Sequence, residues 1–278
     1  MPAQPGILAA VPQAATFLRL GLRPGVDAAD ALGPLITPAA HVLVGLGAGL
    51  LAELGVHVPR LRPMEPLVAD GLAMPATPGD LWLRVDGADP GEVLHRMRAL
   101  DLWGFRIDDE THGFQHGESR DLSGYEDGTE NPTGDTAAAV ALAPDGSAML
   151  AVQRWVHDWD AFDAMTKEQQ DHTIGRERVS NDELDDAPEA AHVKRTAQES
   201  FEPEAFVVRR SMPWSDDRGA GLVFLAFGAT LDPFEAQLRR MMGKDDGITD
   251  ALFAFTRPVD GATFWLPGID GDGMLQLG

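Results

Sequence analysis

The pattern Asp-Pro-x-Glu occurs twice, at Asp89-Pro90-Gly91-Glu92 and at Asp232-Pro233-Phe234-Glu235. The copies lie 143 positions apart, close to half of the 278-residue chain. The pattern suits a helix start: a carboxylate caps free N–H groups, proline fits the first turn, and glutamate follows near the third position. Each copy follows a segment of strand character, residues 81–85 and 221–227. Each precedes an apolar stripe at helical spacing: Val93, Leu94, Met97 and Leu100, then Phe234, Leu238 and Met241. Matched strand, cap and stripe predict two structurally similar halves. Regular alternation of strand and helix is absent, so the sheets are predicted to be mainly antiparallel with helices packed on them, an α+β class.

The remaining elements fit that frame. Strands are predicted at residues 15–22, 41–46, 149–157 and 205–212, with two short ones at 103–107 and 113–116. Helices are predicted at 27–32, at 50–54 and within 158–175, where Trp159, Phe162 and Met165 share a face. Residues 181–190 form an acidic loop.

Charge and cysteine count exclude several functions. With 22 basic against 44 acidic residues, the chain carries a formal charge of −22. That argues against nucleic acid or an anionic membrane surface as a partner. Without cysteine there is no disulfide, zinc–thiolate site, iron–sulfur cluster or thiol nucleophile. Residues 1–16 lack a basic residue and contain Pro2, Pro5 and Pro12, unlike a secretory signal. The longest apolar stretch, 42–54, is short and glycine-rich, so the expectation is a soluble cytoplasmic protein. No long C-terminal extension of the kind that directs some proteins into nanocompartments is expected after Trp265-Leu266-Pro267.

One glycine cluster imitates a nucleotide site. Gly45-Leu46-Gly47-Ala48-Gly49 lies between a strand and a helix, as in dinucleotide-binding folds. The third glycine of that fingerprint falls on Leu50, and the next segment holds Pro59, Pro63 and Pro66. Close packing of helix on strand accounts for the small residues equally well.

Chemistry concentrates elsewhere. Residues 120–134 are dense in turn formers, with Asp127-Gly128 and Asn131-Pro132 marking changes of direction. Such a loop presents Asp127 at a defined place. His192 follows Ala190 and Ala191, small neighbours that would let a flat ligand approach. Arg209 and Arg210 lie on a predicted strand, where alternation turns one of them inward. A buried guanidinium needs an anion or a strong acceptor.

Gly124-Tyr125-Glu126-Asp127-Gly128-Thr129-Glu130-Asn131-Pro132, Ala191-His192-Val193-x-Arg195 and Val208-Arg209-Arg210-Ser211-Met212-Pro213 together resemble the dye-decolourising peroxidases, in particular their short type B subgroup. The order and spacing of the motifs match along nearly the whole chain. The resemblance implies two ferredoxin-like halves, residues 1–134 ending in the G-x-x-D-G loop and residues 135–278 holding most of a haem b (iron protoporphyrin IX). It implies a haem peroxidase that reduces hydrogen peroxide and oxidises dyes or phenols in one-electron steps, expected as a homo-oligomer. The alternatives are a haem-handling protein with incidental activity and a nucleotide-dependent oxidoreductase.

Carried over by residue, His192 is the expected iron ligand, and Asp127 and Arg209 the distal catalytic pair. Arg209 is also expected against the haem, along with Ser211, Phe227, Leu238 and Met241. A haem-ligating histidine needs an acceptor for its second nitrogen, and Asp250 is the expected one, with Asp246 as runner-up. Tyr125 stands where the family often has Phe, and Ser211 where many type B members have Asn. Tyr125, and next Trp214, are the expected relays to bulky donors.

Overall fold

A computed structural model describes residues 2–69 and 71–277. Eleven strands are described: β1 (Ala14–Leu22), β2 (Val42–Leu46), β3 (Leu67–Ala69), β4 (Leu72–Met74), β5 (Leu81–Gly87), β6 (Phe105–Phe114), β7 (Ala148–His157), β8 (Val208–Arg209), β9 (Met212–Asp216), β10 (Gly219–Gly228) and β11 (Thr256–Leu266). The α-helices are α1 (Ala28–Leu32), α2 (Ala48–Glu53), α3 (Pro90–Arg98), α4 (Gly134–Ala141), α5 (Trp159–Asp163), α6 (Lys167–Ile174), α7 (His192–Arg195) and α8 (Asp232–Met241).

Strand order explains the internal repetition. In the first half the sheet runs β2-β5-β1-β6. In the second it runs β9-β10-β7-β11. Both are the 4-1-3-2 order of an antiparallel β-α-β-β-α-β unit, the ferredoxin-like arrangement. Two seams join the units, one pairing Trp265 with Leu46 and the other Gly113 with Trp214. The ring of eight strands thereby closes, with β8 added along β10. Side chains reinforce a seam: Asp109 on β6 accepts from Arg154 on β7 at 3.0 Å and from Arg218 at 2.8 Å.

The two Asp-Pro-x-Glu copies differ in detail. Asp89 caps α3, accepting from the Glu92 N–H at 2.9 Å, while Glu92 accepts from the Ala88 N–H at 2.7 Å. Asp232 is already inside α8, makes no cap, and pairs with Arg62 at 2.6 Å. Replacing Asp89 by Ala is therefore expected to lower unfolding stability by about 1 kcal/mol, and Asp232→Ala by clearly less. Denaturant midpoints measure both.

Three other expectations need correction. Leu94 is 55% exposed, because only the Val93 side of α3 faces the sheet. The two short strands at 103–107 and 113–116 are one strand, β6, whose polar middle looks outward or into the seam. The strand at 205–212 is broken: β8 holds two residues, and β9 starts at Met212. The glycine cluster is a packing device. A side chain at Gly47 would lie 1.9 Å from the Gly79 carbonyl oxygen.

Candidate active site

Strands β7 and β10 have two working faces. On β10, Val223, Leu225 and Phe227 enter the core inside the ring, while Leu222 and Phe224 look out from it. On β7, Ala148 and Leu150 enter that core, and Gln153, Trp155 and His157 look out. This is the two-residue repeat of a strand. The outer face floors a largely apolar cavity. Helix α8 supplies another wall with Phe234, Gln237, Leu238 and Met241. Its apolar stripe therefore faces both the sheet and the cavity.

His192 borders this cavity from the first residue of α7. Its Nδ1 lies 2.8 Å from Asp250 Oδ2, and the Asp250 side chain is fully buried. The other carboxylate oxygen, Oδ1, accepts from the Leu252 N–H at 2.8 Å. One side chain thus orients the imidazole and caps a short 3₁₀ turn, Ala251–Ala254. The Ala251 N–H donates to Ala190 O at 2.7 Å, tying the histidine and carboxylate segments together. Nε2 has no hydrogen-bond partner among the described residues. Asp246 does not approach His192: it takes a two-point bond from Arg195, at 2.8 and 2.7 Å.

Asp127 and Arg209 meet on the cavity, with Arg209 Nε 3.7 Å from Asp127 Oδ1. Both also border a larger, more polar cavity. The loop carrying Asp127 is pinned at several points. Its own N–H donates to Ser119 O at 2.9 Å, and Arg120 donates to Glu126 Oε1 at 2.6 Å.

Asp121 anchors the same loop. Its Oδ1 lies 3.0 Å from His157 Nε2, and its Oδ2 accepts from the Ser123 N–H at 2.8 Å. Burial pushes the Asp121 carboxyl up, but the His157 and Ser123 contacts outweigh it and leave the group below its ordinary value of 3.8. A depressed carboxyl stabilises the fold above its unfolded-state value, and that contribution fades as pH falls through the folded-state value. Asp121→Asn is expected to cost about 2 kcal/mol at neutral pH. The difference from wild type should close as pH drops below the ordinary carboxylate range, which denaturation across pH would measure.

Tyr125 is buried on the cavity wall and donates its hydroxyl to Asp171 Oδ1 at 2.6 Å. Burial and the Asp171 carboxylate push its pKa up. Trp214 is not on this wall. It is 1% exposed, donates to Trp155 O at 3.0 Å, and has the guanidiniums of Arg154 and Arg218 at 5.4 and 5.7 Å from its ring centre. Trp155, by contrast, borders the cavity.

Of the residues singled out in the sequence, the fold gathers Asp127, His192, Arg209, Leu238 and Met241 around one cavity, with Asp250 behind His192. Phe227 is not among them. It is fully buried on the ring-core face of β10, one residue out of phase with Phe224. Ser211 borders the larger cavity instead, with its buried Oγ lacking a partner among the described residues. Gln153, His157 and Asp121 were not singled out, and Asn131 was read only as a turn former. Their signal is placement across the fold, which no local motif carries.

A family model described as "Dyp-type peroxidase, C-terminal" matches residues 118–271. A dye-decolorizing peroxidase of Mycobacterium tuberculosis is 32% identical over 253 residues, 84% of this chain and 75% of that protein. Among solved structures, a dye-decolorizing protein from V. cholerae superposes with a TM-score of 0.84 at 30% identity, covering 94% of this chain and 96% of the other. A variant of DypB from Rhodococcus jostii RHA1, in complex with heme, gives 0.87 at 28% identity, covering 96% of each chain. The two-unit fold, the Asp127–Arg209 pair and the buttressed His192 thus meet a match that spans the chain: this protein belongs to the dye-decolourising peroxidase family.

Proposed function

We propose that this chain is a haem b peroxidase of the type B kind, with His192 as the protein's bond to iron and Asp127 and Arg209 as the peroxide-handling pair. The observation that carries the reading is the His192–Asp250 bond at 2.8 Å on the wall of an apolar cavity. The residues fit the group. Leu222, Phe224, Phe234, Leu238, Met241 and Phe255 give the cavity the predominantly apolar walls usual for cofactor sites. The buried Gln153 amide nitrogen, on the same wall, has no partner among the described residues. No cluster of three or more potential metal ligands exists among the described residues, so one imidazole and a macrocycle suit the site better than a protein-only cage.

When bound, haem supplies an iron centre that accepts peroxide and stores oxidising equivalents for one-electron donors. His192 would hold it through its Nε2, and Asp250, by accepting from Nδ1, would fix the ring and raise its basicity. Asp127 takes a proton from the incoming hydrogen peroxide and returns it to the departing oxygen, which leaves as water. Arg209 meets the charge that develops as the O–O bond breaks, and its guanidinium stays charged at every working pH. Dyes or phenols supply the electrons.

Domain limits at 1–134 and 135–278 belong to the same reading. The described residues support them by placing each 4-1-3-2 sheet on its own side of that division. A homo-oligomeric state and a cytoplasmic location are part of the same proposal. Separately, no helix among the described residues is long and apolar enough to cross a membrane. The test is an absorption spectrum followed by a turnover assay. A Soret band with peroxide-dependent oxidation of a dye is the expected result. Full haem loading with background turnover would instead favour a haem-handling protein.

A further inference from the structure

Arg209 sits on a strand with a neighbour on one side only. Across β8 and β10 its register partner is Ala226. The next residue, Arg210, donates its N–H to Leu225 O at 3.1 Å. Bonding alternates along an antiparallel pair, so the N–H and C=O of Arg209 point away from β10, off the sheet edge. Both groups are nevertheless satisfied. Asn131 Oδ1 accepts from the Arg209 N–H at 2.7 Å, and Asn131 Nδ2 donates to the Arg209 carbonyl at 3.1 Å. One side-chain amide stands where an adjoining strand would be.

That amide belongs to the loop that carries Asp127. The Asn131 N–H donates to Gly128 O at 3.0 Å, closing the turn that follows Asp127. Gly128 has φ +81°, and a side chain there would come within 2.6 Å of Asn131 Nδ2. The glycine after Asp127 is thus required twice, once by its backbone angle and once because the amide passes beside it. Helix capping does not explain Asn131, since α4 is preceded by Thr133 and has no side-chain cap. The two charged groups, 3.7 Å apart, are linked by one turn and two hydrogen bonds.

We propose that Asn131 is a positioning residue for the peroxide step, its amide setting where Arg209 stands relative to Asp127. The proposal rests on the reading of that pair as the peroxide-handling groups. Small displacements of such groups are costly, and loss of a supporting side chain typically lowers activity about 10- to 100-fold. Leucine matches asparagine in size but neither accepts nor donates. Aspartate keeps the acceptor for the Arg209 N–H and lacks a donor for its carbonyl, which Arg210 Nη1 still serves at 2.9 Å.

The test uses the haem-loaded full chain. Stopped-flow mixing with hydrogen peroxide compares Asn131→Leu, Asn131→Asp, Arg209→Leu, Asp127→Ala and the double variant Asn131→Leu/Arg209→Leu. Amide hydrogen exchange at residue 209 provides a readout independent of turnover. Asn131→Leu is expected to slow the peroxide step about 10- to 100-fold with a melting temperature near wild type and faster exchange at the Arg209 amide. Asn131→Asp should lose less, and Asn131→Leu should add little once Arg209 is gone, because both act through one group. A wild-type rate in Asn131→Leu beside a slow Arg209→Leu overturns the positioning role and leaves the site reading standing. The full Asn131→Leu loss persisting in the Arg209→Leu background overturns it too. Wild-type rates in both Arg209→Leu and Asp127→Ala would remove the pair itself, and this proposal with it. Should Asn131→Leu fail to fold, Gly128→Ala crowds the same amide, and its rate is read against the same cycle.

Discussion

His192→Ala, purified from haem-supplied cells, is expected to lose most of its haem and with it the Soret band. The imidazole would be the protein's sole bond to iron: the other histidine on the cavity, His157, has both ring nitrogens engaged, with Thr256 Oγ1 at 2.8 Å and Asp121 Oδ1 at 3.0 Å. Apolar contact with Leu238, Met241 and Phe234 would remain but cannot replace a coordinate bond. Two controls sharpen the result. Asp250→Asn keeps the ligand and weakens its support, so haem affinity should fall less, about 10- to 100-fold. Phe227→Leu, on the far face of β10, should leave haem content unchanged. Haem content by extraction, set against protein absorbance, measures all three. Stoichiometric haem with an unaltered spectrum in His192→Ala would reject the ligand assignment.

The second large effect belongs to the distal pair. Arg209→Leu and Asp127→Ala should both keep their haem, since neither holds the iron. At least one should slow the first spectral change after mixing with peroxide by about 100-fold, the usual scale for a lost proton carrier or charge stabiliser. That corresponds to about 2.7 kcal/mol of barrier. The separation of 3.7 Å between Nε and Oδ1 exceeds a normal hydrogen bond. It leaves each group able to face the cavity. The two losses need not add, because groups that serve one step do not contribute independently. Rate constants against peroxide concentration for the single and double variants would decide how the work is shared.

Much of this was legible in the sequence for reasons that can be stated. The duplication shows because a strand, a helix start and a stripe are all local patterns, each encoded within about a dozen residues. Asp250 was reachable because a haem-ligating imidazole needs an acceptor, which narrows the search to nearby carboxylates. Other features depend on parity or on distance. Phe227 and Phe224 are equally aromatic, and only the register of β10 against β7 decides which one meets the cavity. Asp232 repeats the capping letters, yet the helix begins one residue earlier there, so the carboxylate sits beyond the cap. Asn131 supports a backbone 78 residues away, and its partner lies on an edge that exists only after β8 has paired with β10. The polar run in β6 reads as two fragments because seam-facing charges interrupt the usual alternation; Asp109 is among them.

The two faces of β10 also bear on how this protein could be altered. Leu222 and Phe224 touch the cavity, while Val223, Leu225 and Phe227 fill the ring core, in strict alternation along a single strand. For an engineer, the strand is two libraries interleaved. Changes at the even positions reshape what is bound, and the cavity can absorb differences in volume. Changes at the odd positions strike a close-packed interior, where loss of a few methylenes costs several kcal/mol. A screen that randomises the whole strand would mix inactive with unfolded variants. One that respects parity would keep substrate scope and foldability as separate variables, and the six-membered ring of Phe227 would mark the boundary between them.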